Sequence, residues 1–331
     1  MDYTNLEILK LISERRVSGE SIAKKLNISR VAVWKRIKRL QKLGYKIDIT
    51  KSGYKLVENP DKLIPFEVKK HLKTKYIGNS YIYLEECVST NLYLKKNKKL
   101  PNGTVAVAEK QSAGRGRKGR QWVSPKYKGI YFSLLLKKSI NITDLPIFSL
   151  IFPLAVMDVL RIYTNKKVYI KWPNDVYIEN KKISGILLET EIEGNDINSL
   201  VVGIGININT SKEELGELTD RATSLFIEEG KIFNRSKILA EILNQLETNI
   251  ENFSKREVIE RVNKNLLWKN ENVKILDTDI EGRLLGIDQM GGLVIETDKG
   301  QKTVYNGDLS LRNLEGERNG FSFTQSKKIK G

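Results

Sequence analysis

Between Glu20 and Asp48 the chain carries no acidic residue and nine basic ones: Lys24, Lys25, Arg30, Lys35, Arg36, Lys38, Arg39, Lys42 and Lys46. Unpaired charge is too costly to bury, so any fold of this segment must turn those side chains to its surface. The apolar residues between them supply the other half of the constraint. Val33, Ile37 and Leu40 share one face of a helix, with Lys35, Lys38, Arg39 and Lys42 on the opposite side. A first helix is expected over Leu6 to Ser13. Ser18 suits the N-cap of a short second helix running to Leu26, Asn27-Ile28 makes a tight turn, and Ser29 caps a third helix that ends near Leu43, before Gly44. A basic helix presented after a short helix and a tight turn is the layout of a helix-turn-helix.

The residues that follow add a wing. Tyr45, Ile47 and Ile49 alternate, Lys51-Ser52-Gly53 turns, and Tyr54 and Leu56 alternate again. A solvated basic helix in an ordinary three-helix bundle is the plainer alternative. Helix order, acid-free stretch and wing together favour DNA. Lys35, Lys38, Arg39, Lys42 and Lys51 are then the phosphate-facing bases, and Ser29, Arg30 and Val31 near the helix start face base edges.

Composition narrows the chemistry of the rest. The chain has 331 residues, 57 Lys+Arg against 40 Asp+Glu, a net charge of +17, one Cys (Cys87) and one His (His71). That excludes a disulfide within the chain and a Cys/His zinc site, and leaves a Ser-His-Asp triad dependent on His71 alone. A solitary thiol fits a reducing compartment. The longest apolar run, roughly Ile147 to Met157, is interrupted by Ser149 and Pro153 and stops at Asp158, which reads as too short to span a membrane. The N-terminus has no signal-peptide pattern. The expectation is a soluble cytoplasmic protein with no membrane partner and with a polyanionic one.

Asn59-Pro60 and Pro65 mark a linker, followed by a short amphipathic helix from Phe66 to Thr74. Strand-like runs then appear at Tyr81–Glu85, Thr104–Glu109, Gly129–Leu136, Val168–Lys171, Ile183–Thr190 and Leu200–Ile208. Helical stretches lie at Asn91–Lys98, Leu145–Tyr163 and Arg235–Phe253. Without regular βαβ alternation this predicts an α+β fold around a mixed sheet.

Three motifs stand out here. Gly114-Arg115-Gly116-Arg117-Lys118-Gly119 matches G-x-G-x-x-G, but no helix follows it and no acidic residue stands where a ribose would be held, so a dinucleotide site is excluded. Glycine entropy and charge repulsion predict a loop that is disordered in isolation and folded by a polyanionic ligand. Taken alone, it equally fits a flexible surface loop. Lys171-Trp172-Pro173-Asn174-Asp175-Val176-Tyr177 ends a strand, turns, and is followed by Lys181-Lys182-Ile183-Ser184-Gly185-Ile186. Val202-Gly203-Ile204-Gly205-Ile206-Asn207 is an apolar strand with two glycines, which weaken a strand unless something must come close.

With Ser89-Thr90-Asn91 before them, these motifs in this order resemble the biotin–protein ligase family. The N-terminal helix-turn-helix makes the chain similar to its bifunctional form, the biotin operon repressors. Gly282 to Asp288 and Gly292 to Glu296 look like the small barrel that follows in these ligases. The resemblance implies an α+β multidomain chain: a winged helix-turn-helix domain at 1–64, a central mixed-sheet ligase domain of class II synthetase type at 65–268, an SH3-like β-barrel at 269–316, and a disordered tail at 317–331.

It also implies a reaction. ATP activates biotin to biotinyl-5′-AMP, and a lysine of a biotin carboxyl carrier protein then takes the biotinyl group. An adenylate-bound homodimer binds operator DNA. Neither step needs a His or Cys on the enzyme. By resemblance, Lys182 and Arg117 are the catalytic cations that stabilise charge. The biotin and adenylate site comprises Ser89, Thr90, Asn91, Gln111, Arg115, Gly116, Arg117, Trp122, Lys182, Gly185 and Gly203. The carry-over has Trp122 packing beneath the ordered loop. Mg²⁺ is expected with ATP, its protein ligands unassigned; Asp175 is a candidate to position either Mg²⁺ or the carrier lysine. No aromatic residue lies between Asn209 and Leu225, so Leu215 and Leu218 are the expected cover for adenine. The strand pair Ile183–Thr190 and Leu200–Ile208 is the expected sheet edge for the dimer. A sensor that kept the pocket without the chemistry, and a lipoate ligase, are the alternatives; the arginine loop and Lys182 disfavour them.

Overall fold

A computed structural model describes residues 3–97, 99–138, 140–193, 196–276, 278–305 and 311–313. The expected tail at 317–331 lies outside the described residues. The N-terminal unit consists of α1 (Tyr3–Glu14), α2 (Gly19–Leu26), α3 (Arg30–Lys42) and the antiparallel hairpin β1 (Lys46–Thr50) and β2 (Gly53–Glu58). Both expected caps form: Ser18 Oγ accepts from Ser21 N, and Ser29 Oγ accepts from Ala32 N. Asn27 takes the left-handed conformation at φ 51°, which ends α2 and sets the angle of α3. Val33, Ile37 and Leu40 are buried against Ile8, Leu9, Ile12 and Ile22, so the apolar stripe of α3 faces inward. Ile64 and Phe66, beyond the hairpin, complete that core.

The expected helix over Phe66–Thr74 is shorter: α4 spans Pro65–Lys69. Residues past it are drawn onto a distant helix instead. Lys73 N donates to Asn244 Oδ1 at 2.7 Å, and the amides of Tyr76 and Ile77 donate to the Glu247 carboxylate at 3.0 and 2.9 Å. Tertiary acceptors replace the helical ones.

The central unit adds β3 (Tyr81–Leu84), α5 (Thr90–Lys96), β4 (Thr104–Ala108), β5 (Ile130–Leu136), β6 (Ile140–Asn141), α6 (Leu145–Ser149), α7 (Ile151–Tyr163), β7 (Val168–Lys171), β8 (Asp175–Ile178), β9 (Lys181–Glu193) and β10 (Asp196–Ile206). The short helices α8 (Lys212–Leu215) and α9 (Leu225–Glu229) and the longer α10 (Arg235–Glu251) and α11 (Lys255–Asn265) follow. The strands form one mixed sheet in the order β3-β4-β5-β10-β9-β8-β7, with β6 beside β10. Only β3 and β4 run parallel within it. Helix α11 and strand β8 went unread in the sequence.

The expected dimer edge is corrected by this order. β9 and β10 lie in the middle of the sheet, because the β7–β8 hairpin folds back and pairs with β9. That pairing reaches only Gly185, so among the described residues β9 has a strand partner on one side alone from Leu187 outward. The reading of the apolar run is corrected too. Ile142–Tyr163 is a 22-residue helical stretch with mean hydropathy 1.9, long and apolar enough to cross a membrane by those two measures, and 67% of its most apolar window is buried. It is the core helix behind the sheet: Leu154, Val156 and Leu160 pack with Val202, Ile204 and Ile206 of β10 and with Leu239 and Leu243 of α10.

The C-terminal unit contains β11 (Asn272–Ile275), β12 (Glu281–Ile287), β13 (Leu293–Thr297), β14 (Gly300–Val304) and β15 (Leu311–Asn313), an antiparallel sheet in the order β14-β13-β12-β11-β15. Its Leu284, Leu293 and Ile295 join the central core.

Candidate active site and DNA-facing surface

Strands have two faces, and here one is filled by α7 and α10 while α5 covers part of the other, with Leu94 packed on Ala106, Leu135 and Val201. Gly203 and Gly205 lie on that second face of β10, and Gly185 of β9 stands opposite Gly205. Close neighbours explain the absence of side chains. A Cβ at Gly203 would lie 2.2 Å from Asn91 Oδ1, and one at Gly205 would lie 2.5 Å from the Trp122 ring. At Gly185 it would lie 3.1 Å from both Lys182 Nζ and Trp122. The glycines form a floor on which Asn91 and Trp122 rest.

One end of this floor is a polar wall. Thr90 N donates to Gln111 Oε1 at 3.0 Å, and Gln111 Nε2 donates to Ser124 Oγ at 3.2 Å. The Ser133 hydroxyl lies within hydrogen-bond reach of Thr90 Oγ1, at 2.7 Å, and of Asn91 Oδ1. Asn91 Nδ2 and Lys95 Nζ donate to Glu189 at 2.9 and 2.7 Å. Burial pushes the Glu189 carboxyl up, but Lys95 and Asn91 outweigh it and hold it below the usual carboxylate range. Ser89 is buried at the N-cap of α5, where its side chain makes no capping bond.

The other end is cationic. Lys182 Nζ donates to Asp175 Oδ2 at 2.6 Å and lies 5.7 Å from the centre of the Trp122 ring. Arg117 Nη1 donates to Asn174 Oδ1 at 3.0 Å, and Asn174 Nδ2 donates to Ile186 O at 2.6 Å. Two buried polar atoms here have no hydrogen-bond partner, Asp175 Oδ1 and Trp122 Nε1. Buried orphans of this kind are costly and rare in a folded chain, so they mark a place built for something else. An ammonium and a guanidinium beside unpaired donor and acceptor atoms suit a reaction in which negative charge concentrates.

The arginine loop is folded on itself rather than disordered. Trp122 N donates to Gly114 O at 2.9 Å, Gly116 N donates to Arg120 O at 2.7 Å, and Lys118 adopts φ 56° between them. Backbone bonds within the loop hold it closed. Arg115 is exposed and Arg117 is partly buried. Trp122 lies under the loop, on the glycine floor. Thus Thr90, Asn91, Gln111, Trp122, Gly185, Gly203, Lys182 and Arg117 are brought to one face, whereas Arg115 points to solvent.

Two neighbours escaped the sequence reading. Asn174 sat in a quoted motif in which only Asp175 was given a role, and Asp175's bond to Lys182 was not foreseen. Ser133 carried a usable signal: it is the lone polar residue in the buried strand Ile130–Leu136.

The other surface is on α3. Ser29, Arg30, Val31, Lys35, Lys38, Arg39, Lys42 and the wing residue Lys51 are all exposed. Arg39 differs from the others. It lines a recess at the junction with the central unit, together with Asn5, Leu43, Ile64, Tyr81 and Tyr83. Trp34, unread in the sequence, is 50% exposed beside Lys38.

Three family models match the chain in order. They are an HTH domain over residues 4–55, the biotin/lipoate A/B protein ligase family over 84–207 and the biotin protein ligase C-terminal domain over 270–312. The bifunctional ligase/repressor BirA of Bacillus spizizenii is 34% identical over 318 residues, covering 92% of this chain and 97% of that protein. The chain belongs to the BirA family. The Escherichia coli BirA is 32% identical, covering 90% of this chain and 94% of that one. A structure of the Aquifex aeolicus biotin protein ligase in complex with biotin and ATP superposes with a TM-score of 0.64 at 36% identity, covering 71% of this chain and 99% of that one. In BirA terms, the N-terminal unit is the helix-turn-helix, the central sheet is the ligase domain and the C-terminal antiparallel sheet is the family's third domain.

Proposed function

We propose that this BirA-family chain is a biotin–protein ligase that also acts as a biotin-responsive repressor. The carrying observation is the cationic group Lys182, Asp175, Asn174 and Arg117 at one end of a glycine floor whose other end is a neutral polar wall. Biotin has a neutral, hydrogen-bonding ring system and an anionic tail, and the floor matches it end for end. Thr90, Asn91, Gln111, Ser133 and buried Ser89 take the ring. Gly203 and Gly185 let it approach the sheet. Its carboxylate then lies toward Lys182 and attacks the α-phosphorus of ATP, releasing pyrophosphate. Lys182 and Arg117 stabilise the charge that accumulates in that step. Arg115 and the Gly116 backbone close over the adenylate, and Trp122 supports them. A carrier-protein lysine, arriving as its free amine, attacks the acyl carbon and expels AMP.

Mg²⁺ enters as part of the ATP substrate. The orphaned Asp175 Oδ1 fits it, since Mg²⁺ takes one or two carboxylates alongside substrate phosphates and water. Leu215, buried, and Leu218 are the aliphatic cover for adenine.

The finer architecture belongs to the same reading: a winged helix-turn-helix at 1–64, a class II synthetase-like ligase domain at 65–268 and an SH3-like barrel at 269–316. The dimer forms through the outer half of β9, from Leu187, where the strand lacks a partner on one side. The exposed bases of α3 and Lys51 then meet operator DNA, with the protein in the cytoplasm.

Incubation with biotin, Mg-ATP and a biotin carboxyl carrier domain tests the ligase directly. Biotin on the carrier lysine is the expected product, and its absence with a competent carrier would refute the reading. Sedimentation with and without biotinyl-AMP tests the dimer: an unchanged association constant would sink the coupling.

A further inference from the structure

One member of the Lys171–Tyr177 motif has no part in the site above. Trp172 is buried, and its Nε1 donates to Gly291 O, in the C-terminal domain, at 3.0 Å. On the chain it stands two and three residues before Asn174 and Asp175, which hold Arg117 and Lys182.

The acceptor is itself locked. Asp288 Oδ1 accepts from Met290 N at 2.9 Å and from Gly292 N at 2.8 Å, and Asp288 N donates to Gly292 O at 2.8 Å. The Tyr305 hydroxyl donates to the other Asp288 oxygen. Gly291 has φ +81°, and a Cβ there would lie 3.1 Å from the Ile147 side chain and 3.3 Å from its amide. Only glycine gives both that backbone angle and that approach to α6. The last residues of the ligase domain, leading into the C-terminal one, are tied to the strand that precedes Trp172. Leu267 N donates to Ile170 O at 2.9 Å, and Lys171 Nζ stands 4.9 Å from the centre of the Trp268 ring. By contrast, the polar wall around Thr90 and Gln111 is held by bonds within the ligase domain.

We propose that Trp172 and the Asp288–Gly292 turn form a brace through which the C-terminal domain sets Asn174 and Asp175 for Mg-ATP. Trp172 is a positioning residue. It touches neither reacting atom but fixes the start of the turn that carries both side chains. The inference rests on the ligase reading and extends it, because it makes the two ends of the floor depend on different domains.

Two variants of the full chain test it. Trp172→Phe keeps an aromatic ring of smaller size and removes the N–H, and Asp288→Ala unlocks the turn from the C-terminal side with Trp172 intact. In both, the KM for Mg-ATP in pyrophosphate release is expected to rise about five- to tenfold, the worth of one hydrogen bond. The biotin Kd measured calorimetrically without ATP stays within about twofold of wild type, because the polar wall is independent. Hydrogen exchange at Ile186 N, which donates to Asn174 O at 3.0 Å, is expected to quicken in both. Unchanged exchange and unchanged KM overturn the brace. So does a biotin Kd that rises in step with KM, which indicates general loosening. A wild-type chain that makes no biotinyl-AMP refutes the ligase reading instead, and the exchange comparison still decides the brace.

Discussion

Two regions of this molecule are rich in positive charge, and they use it in opposite ways. On α3, Lys35, Lys38 and Lys42 stand exposed on the surface of a unit whose core lies entirely behind them. At the glycine floor, Lys182 and Arg117 are partly buried, Lys182 bonded to Asp175 and Arg117 to Asn174. Diffuse surface charge attracts a polyanion of any sequence and is screened by salt. Charge fixed by partners in a recess acts on one atom at one place. The same residue types therefore supply reach in one region and position in the other.

Changing the fixed set should cost most. Lys182→Ala is expected to lower the rate of adenylate formation by about 100–1,000-fold while leaving biotin bound, as removal of a charge-stabilising donor does elsewhere. A lost biotin affinity with normal turnover of bound substrate would contradict that role. Gly203→Ala comes next. Its Cβ would meet Asn91 Oδ1 at 2.2 Å, and such overpacking costs about 1–3 kcal/mol, read as a lower melting temperature together with weaker biotin binding. Arg117→Gly removes the bond to Asn174 and should speed escape of biotinyl-AMP roughly tenfold in a release assay. Retention equal to wild type would sever the loop from the adenylate.

Changes to the diffuse set should be smaller and of a different kind. Lys35→Ala or Lys42→Ala is expected to lower the slope of log affinity against log salt by about one for DNA, with ligase turnover unaltered. An unchanged slope would remove that lysine from the interface. The smallest effect is at Cys87. Burial and the nearby Glu86 push its thiol up to about 11, so little thiolate exists at neutral pH. Alkylation should be slow at pH 8 and accelerate only as pH approaches that value. Rapid labelling at pH 7 would show the thiol to be far more accessible than its half-buried setting implies.

The two regions also differ in how far they were legible. Everything that shapes α3 is local: Ser29 caps it, Asn27 turns into it, and a stripe of Val33, Ile37 and Leu40 orients it. Such features repeat every three or four residues and can be read from a short window. The floor was legible only as motifs. Gly203 and Gly185 were marked as places of close approach, but nothing in the sequence said that Asn91 and Trp122 would be what approaches. Ser133 and Asn174 were passed over because their partners, Thr90 and Arg117, lie far along the chain. The expected sheet edge was drawn too wide for the same reason: β10 and the start of β9 are paired on both sides, and where the β7–β8 hairpin folds decides how much of β9 is left as an edge.

By itself the sequence determined the caps, the helical faces, the glycine positions and the order of the motifs, because each is written in contiguous residues through hydrogen bonding and side-chain period. Its single histidine and single cysteine suited the reaction that the resemblance implied. The tertiary structure alone decided which side chains meet. Arg117 finds Asn174, buried Arg235 finds buried Glu109 and the exposed Asp61 of the linker, and Trp172 finds a carbonyl in another domain. Those pairings follow from strand order and domain docking, which are set by the burial of whole faces and not by any short stretch of chain.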